Sequence, residues 1–187
     1  LAIRQDQWTS VQPASIFGTD LSLAILAAKH ILGSGFQTRH AQAGLSRSVL
    51  PGRFQWETIG DCRILFDVAH NEQAFDKLFG SIPRDAHSQR VRIILGMQKN
   101  KQGEEAILRH LLPGDTVHLV RLATSRTKPW PMWQRFVRCA RRRGVDVLPP
   151  QAMASVRRSV VRSIRREDIV VVTGSFFTVR EGLKAWR

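Results

Sequence analysis

Arg63-Ile64-Leu65-Phe66-Asp67-Val68-Ala69-His70-Asn71 reads as a short strand that runs into a loop and gives way to a helix at Asn71. An apolar run of this length, bounded by polar residues, is a strand signal, and an asparagine ahead of renewed helical periodicity is a capping signal. The same handover recurs along the chain. Strands are expected at Phe54–Ile59, Arg63–Asp67, Val91–Gly96, Thr116–Arg121, Val145–Leu148 and Asp168–Thr173. Helices are expected between and after them, at Asn71–Gly80, Gln102–Leu112, Pro131–Arg143, Gln151–Arg166 and Val179–Trp186. Strands alternating with helices predict an α/β fold: a Rossmann-like, mostly parallel sheet of about six strands with helices on both faces.

The helical faces are coherent. Trp133, Phe136, Val137 and Ala140 follow the i, i+3, i+4, i+7 rhythm, with Pro131 in the first turn where its missing N–H is harmless. Met153, Val156, Val160 and Ile164 form one stripe, and Arg157, Arg158, Arg162, Arg165 and Arg166 point elsewhere. Residues 1–48 form a short helical segment: an extended stretch, a helix from a Thr19 cap to Leu32, a Gly-Ser-Gly stop and a second helix over Thr38–Ser46. Lacking a core of its own, it is set apart from a main domain over 49–187.

At 187 residues, 43% hydrophobic and 24% charged, the chain has an ordinary globular composition that excludes disorder, collagen-like repeats and coiled coil. Leu21–Leu32 is interrupted by Ser22, Lys29 and His30 and falls short of the ~20 apolar residues a membrane span needs, so no membrane association is expected. Cys62 and Cys139 lack metal-type spacing and suit free thiols in a reducing cytoplasm. The net charge of +14 directs attention to anionic partners. Between Arg121 and Arg166, twelve arginines and Lys128 stand against the single acid Asp146. Such a belt either grips a phosphate backbone or is the solvated face of two helices whose arginine stems cover apolar surface. No helix-turn-helix, zinc-finger or RNA-recognition signature accompanies it.

In an open α/β sheet the crevices lie at the carboxyl ends of the strands. Four stretches stand there or beside them. Pro51-Gly52-Arg53-Phe54-Gln55 is a turn that delivers an arginine, whose planar fork suits phosphate. Asp67-Val68-Ala69-His70-Asn71 puts an acceptor, an imidazole and a capping amide at a helix N-terminus, which favours anions. Asp67 can accept from ribose hydroxyls, and His70 can bond a phosphate or steady a reacting carbonyl; alternatively Asp67 or Asn71 is a helix cap and His70 a loop residue. Gly96-Met97-Gln98-Lys99-Asn100-Lys101 carries lysines on a loop, for phosphate or for solvent. Thr173-Gly174-Ser175-Phe176-Phe177-Thr178-Val179 offers a tight turn at Gly174 and a hydroxyl at Ser175 for a ligand or a cap.

In this order, the P-G-R-F-Q turn, the D-V-A-H-N loop, the G-M-x-x-x-K loop and the closing V-x-x-T-G-S-F segment resemble the C-terminal domain of the folylpolyglutamate synthase/dihydrofolate synthase family, within the Mur ligase superfamily. The resemblance covers Leu50 to the end, and residues 1–48 resemble the tail of that family's central ATPase domain. The Gly174-Ser175-Phe176 ending resembles the folate branch, and Glu72 stands where peptidoglycan-building Mur enzymes usually have proline. Gln102 departs from the family, which commonly has an acid after the loop lysine.

The resemblance implies ATP-dependent amide ligation. A pterin-linked carboxylate, on folate or dihydropteroate, takes the γ-phosphoryl of MgATP, and the amine of L-glutamate attacks the acyl phosphate. Carried onto matching positions, Arg53 is expected on ATP phosphate, Asp67 on ribose, and His70 with Asn71 on the nucleotide or the reacting phosphate, His70 being the catalytic candidate. Ser175 and Lys101 are expected on the substrate side. No G-x-x-x-x-G-K-[ST] loop occurs in the chain, and no metal ligand is assigned in it. The phosphate loop and the Mg2+ ligands are therefore expected in an N-terminal ATPase domain of the same parent chain. The present residues are expected to be a cytoplasmic ligase's C-terminal portion, inactive alone. The alternatives are a Mur-type domain acting on a peptidoglycan precursor, a non-catalytic relative, and a nucleic-acid-binding module using the belt; nucleic acid is not expected as a partner under the ligase reading.

Overall fold

The computed structural model describes residues 18–47, 50–59, 62–84 and 89–186. They fall into two compact units that divide after Pro51. In the first, helix α1 covers Gly18–Leu32, a single 3-10 turn covers Gly33–Gly35, and helix α2 spans Thr38–Arg47. Leu23, Leu26, Ile31 and Leu32 are each more than half exposed, so α1 buries little apolar surface within its own unit. The extended stretch expected ahead of α1 lies outside the described residues.

The second unit is a six-stranded sheet: β1 (Gln55–Ile59), β2 (Cys62–Phe66), β3 (Val91–Leu95), β4 (Thr116–Val120), β5 (Asp146–Gln151) and β6 (Ile169–Thr173). Their spatial order is β1-β2-β6-β3-β4-β5. Five strands are parallel, and β1 alone runs antiparallel, at the edge beside β2. Ile169-Val170-Val171-Val172-Thr173 is buried at every position because β6 lies between β2 and β3 with a helical layer on each face.

One layer holds helix α3 (Glu72–Gly80), a 3-10 segment (Glu104–Arg109) and helix α4 (Gln134–Arg142). The other holds helix α5 (Met153–Ser163) and helix α6 (Phe176–Trp186), whose Met153, Val156, Val160, Val179 and Trp186 join Ile64, Phe66, Ile94, Val170 and Val172 in one core. The alternate residues Leu65, Ile93, Leu95 and Leu119 are fully buried toward the opposite layer, as the period of two requires. The α/β class and helices on both faces follow the sequence expectation. No helix among the described residues is long and apolar enough to cross a membrane.

Several elements differ from expectation: the helix expected over Gln151–Arg166 spans Met153–Ser163, and the helix expected from Val179 begins at Phe176. The segment expected as a helix over Gln102–Leu112 is a six-residue 3-10 helix: Gly103 takes φ +105° and delays the start, and Pro113 disfavours α geometry at its end. The helix expected from Pro131 begins with a 3-10 turn over Trp130–Trp133. Strand β5 runs beyond Leu148 through Pro149 and Pro150 to Gln151, with a register shift between His118 and Val120 of β4 that absorbs the extra residue.

Candidate functional site

The four stretches singled out in the sequence meet at the carboxyl end of the parallel strands, held by bonds between their backbones. Val68 N–H donates to Gly52 O (2.9 Å), Gly174 N–H to Ala69 O (3.0 Å) and Gly96 N–H to Thr173 O (3.2 Å). Thr178 Oγ1 adds a bond to Gly96 O at 2.5 Å. The spacing leaves no room for side chains on the glycines. A Cβ on Gly174, whose φ is +105°, would lie 2.6 Å from Gly96 O, and one on Gly52 2.6 Å from a Val179 methyl.

Asp67, just past β2, is buried, and both its oxygens are engaged. Oδ2 accepts from Phe54 N–H and Oδ1 from Ala69 N–H, each at 2.8 Å. Burial pushes its carboxyl above the usual carboxylate range; the two backbone donors, then the charges of Arg53 and His70, pull the other way. Asp67 therefore braces the turn that carries Arg53. Each oxygen keeps a second lone pair, so bracing and accepting from a hydroxyl are compatible. Arg53 itself is exposed and makes no hydrogen bond or ion pair among the described residues. It reaches this rim because β1 is antiparallel: the start of β1 lies beside the ends of the other strands.

His70 is half-buried, with Nδ1 3.0 Å from Val68 O. That contact fixes the proton on Nδ1 and leaves Nε2 as the ring's acceptor when neutral. Asn71 is the N-cap of α3, its Oδ1 accepting from Ala74 N–H at 2.9 Å, and its amide group remains available as a donor. Ser175 is turned inward: its hydroxyl accepts from Thr178 N–H (3.1 Å) and pairs with Thr178 Oγ1 (2.7 Å), the capping alternative of the sequence reading. The hydroxyl therefore shapes the loop rather than standing free in it. Lys101 lies on the loop after β3, half-buried, with its backbone N–H donated to Gln98 O (3.0 Å). Gln102 beside it is exposed.

Two features of this end were not foreseen. Lys128, counted with the basic belt, is buried and ion-paired with the equally buried Glu104. Thr178, which ties the closing segment to Gly96, was signalled only by the Ser-x-x-Thr spacing. The rest of the belt divides. Arg135, Arg138, Arg141 and Arg142 are exposed on α4, and Arg158 and Arg162 are exposed on α5, which lies in the opposite layer. They do not share one face of the sheet, which argues for solvated helix surfaces over a single phosphate-binding groove. No group of three or more His, Cys, Asp or Glu among the described residues is placed to hold a metal ion.

Solved structures share this fold. The bifunctional folylpolyglutamate synthase/dihydrofolate synthase from Yersinia pestis, complexed with AMPPNP and Mn ion, superposes with a TM-score of 0.69 at 22% identity, over 86% of this chain and 37% of that one. FolC of E. coli, in complex with DHPP and ADP, gives 0.68 at 25% identity over 85% and 36%. The folylpolyglutamate synthase of Mycobacterium tuberculosis, complexed with ADP and AMPPCP, gives 0.63 at 18% over 88% and 38%. The chain thus spans little more than a third of the length of these enzymes. No curated protein sequence matches it. The family described as Mur ligase, glutamate ligase domain, matches residues 52–176, the span that contains β1 through the start of α6. The chain belongs to the Mur ligase family, and residues 52–176 are its glutamate ligase domain.

Proposed function

We propose that the chain is the C-terminal portion of an ATP-dependent amide ligase that joins L-glutamate to the carboxylate of a folate or dihydropteroate through an acyl phosphate. The observation that carries this reading is the convergence of the four loops on one rim of a sheet whose likeness to FolC of E. coli extends over 85% of the chain. Phosphoryl transfer needs positioning and charge neutralisation more than covalent chemistry from the protein. The rim supplies both. Exposed Arg53 neutralises nucleotide phosphate, Asp67 accepts from ribose, and Asn71 donates its amide to the nucleotide. His70, its ring oriented by Val68 O, bonds the reacting phosphate through Nε2–H when the ring carries its second proton.

Lys101 and the loop capped by Ser175 serve the substrate side, where the α-amine of glutamate meets the acyl phosphate. The phosphate-cradling loop and the Mg2+ ligands belong in this reading to an N-terminal ATPase domain of the parent chain. When bound, Mg2+ neutralises the phosphates. The cytoplasm is the matching compartment. The isolated chain then folds without turning over, because its half of the phosphate site is incomplete.

The test is ADP release by the full-length protein given MgATP, L-glutamate and dihydropteroate or a reduced folate, beside His70→Ala. Turnover that falls about a hundredfold or more in the variant is the expected result. A folded full-length protein without turnover on any folate overturns the reading.

A further inference from the structure

The Lys101 loop is held by a buried charge pair. Lys128 Nζ pairs with Glu104 Oε1, lies 3.5 Å from Lys101 O and sits over the Trp133 ring at 4.9 Å from its centroid. The backbone of Lys128 is fastened too: its N–H donates to Met97 O (2.9 Å), and its carbonyl accepts from Trp133 Nε1 (3.2 Å). One residue before Glu104, Gly103 presses so closely on the start of α3 that a Cβ there would lie 2.5 Å from Glu72 N. Glu104 Oε2 is buried with no hydrogen-bond partner among the described residues, so the pair is not an optimised stabilising bridge. A buried pair with an orphaned oxygen contributes little stability over an apolar replacement, whereas it does hold one geometry.

We propose that Lys128 and Glu104 are positioning residues, which fix the loop carrying Lys101 against the Asn71 end of α3 and so set the spacing between Lys101 and the His70–Asn71 loop. The inference rests on the ligase reading for its consequence in turnover, and on the geometry alone for the loop itself. Neither residue touches the reacting groups. Lys128 acts through the Lys101 carbonyl, and Glu104 through Lys128. Replacing both by apolar side chains keeps the site filled while removing the constraint, and therefore leaves the fold intact.

The experiment uses the full-length protein carrying Lys128→Met with Glu104→Leu, and Lys128→Arg as the conservative variant. Amide hydrogen exchange is followed over residues 98–103 and at Ala74, alongside kcat and the KM for ATP. The expected result is faster exchange confined to those amides, and kcat reduced about tenfold to a hundredfold with KM changed much less. Lys128→Arg is expected to retain most of both properties. Unchanged exchange in the double variant, or exchange raised equally across the sheet, overturns the proposal. If the unmodified protein ligates no folate, the ligase reading fails by itself and the exchange pattern still decides the loop's dependence on the pair. Wild-type kcat despite a loosened loop overturns the positioning role.

Discussion

Phe54 donates its backbone N–H to Asp67 Oδ2 at 2.8 Å from a left-handed conformation, φ +45°, that a phenylalanine rarely adopts. The bond spans thirteen residues of sequence and closes the turn next to Arg53. A strained backbone held by a buried carboxylate means that the turn's shape depends on one side chain.

Asp67→Ala is therefore expected to cost about 2–4 kcal/mol, since it orphans two buried N–H groups at once. Asp67→Asn retains one acceptor oxygen and is expected to lose roughly half as much. Urea denaturation of the three proteins gives the comparison, and equal stability of all three would show the turn to be held by something else.

His118 in β4 is 3% exposed, and its Nε2 has no hydrogen-bond partner among the described residues. Burial, with the Arg92 charge as a lesser cause, lowers its pKa from 6.5 to about 4. Above pH ~6.5 the imidazole is neutral folded or unfolded and the stability is complete. As the pH falls toward 4, the unfolded chain takes a proton that the folded chain refuses, so stability declines through that window and levels off below it. The whole loss is on the order of 3 kcal/mol. Urea midpoints measured between pH 7 and 4 should fall for the natural chain and flatten in His118→Leu.

Gly174→Ala is expected to destabilise by more than about 2 kcal/mol, because the added methyl meets Gly96 O and the backbone conformation excludes it. Gly44→Ala is the contrasting case. That position lies in α2 with open space around its Cβ, and the change should be neutral or stabilise by up to ~1 kcal/mol. Thermal unfolding of the pair separates a contact effect from a general intolerance of glycine replacement.

The parallel core was legible because Ile64-Leu65-Phe66 and Val170-Val171-Val172 are too apolar and too short to be anything but buried strands. The convergence of three of the four loops was legible as well, since parallel strands carry their following loops to one end; the Arg53 turn precedes β1 and joins them only because β1 runs antiparallel. Lys128 was not legible. A lysine in an arginine-rich stretch reads as solvated, and only tertiary placement beside Glu104 and Trp133 turns it inward. Ser175 had two uses by its chemistry, and the position of Thr178 selects the cap. The 3-10 segment was misread because Ala106, Ile107, Leu108 and Leu111 suit a helical stripe. Its length is set by Gly103 and Pro113 rather than by that stripe.

Pro149 and Pro150 lie in β5, which forms one edge of the sheet. Two consecutive residues of that edge carry no N–H, and the bulge there bends the strand out of line. A second copy of the protein therefore finds no regular ladder to extend on that side, and strand-by-strand growth into larger assemblies is blocked at β5 by covalent structure, independently of charge or concentration.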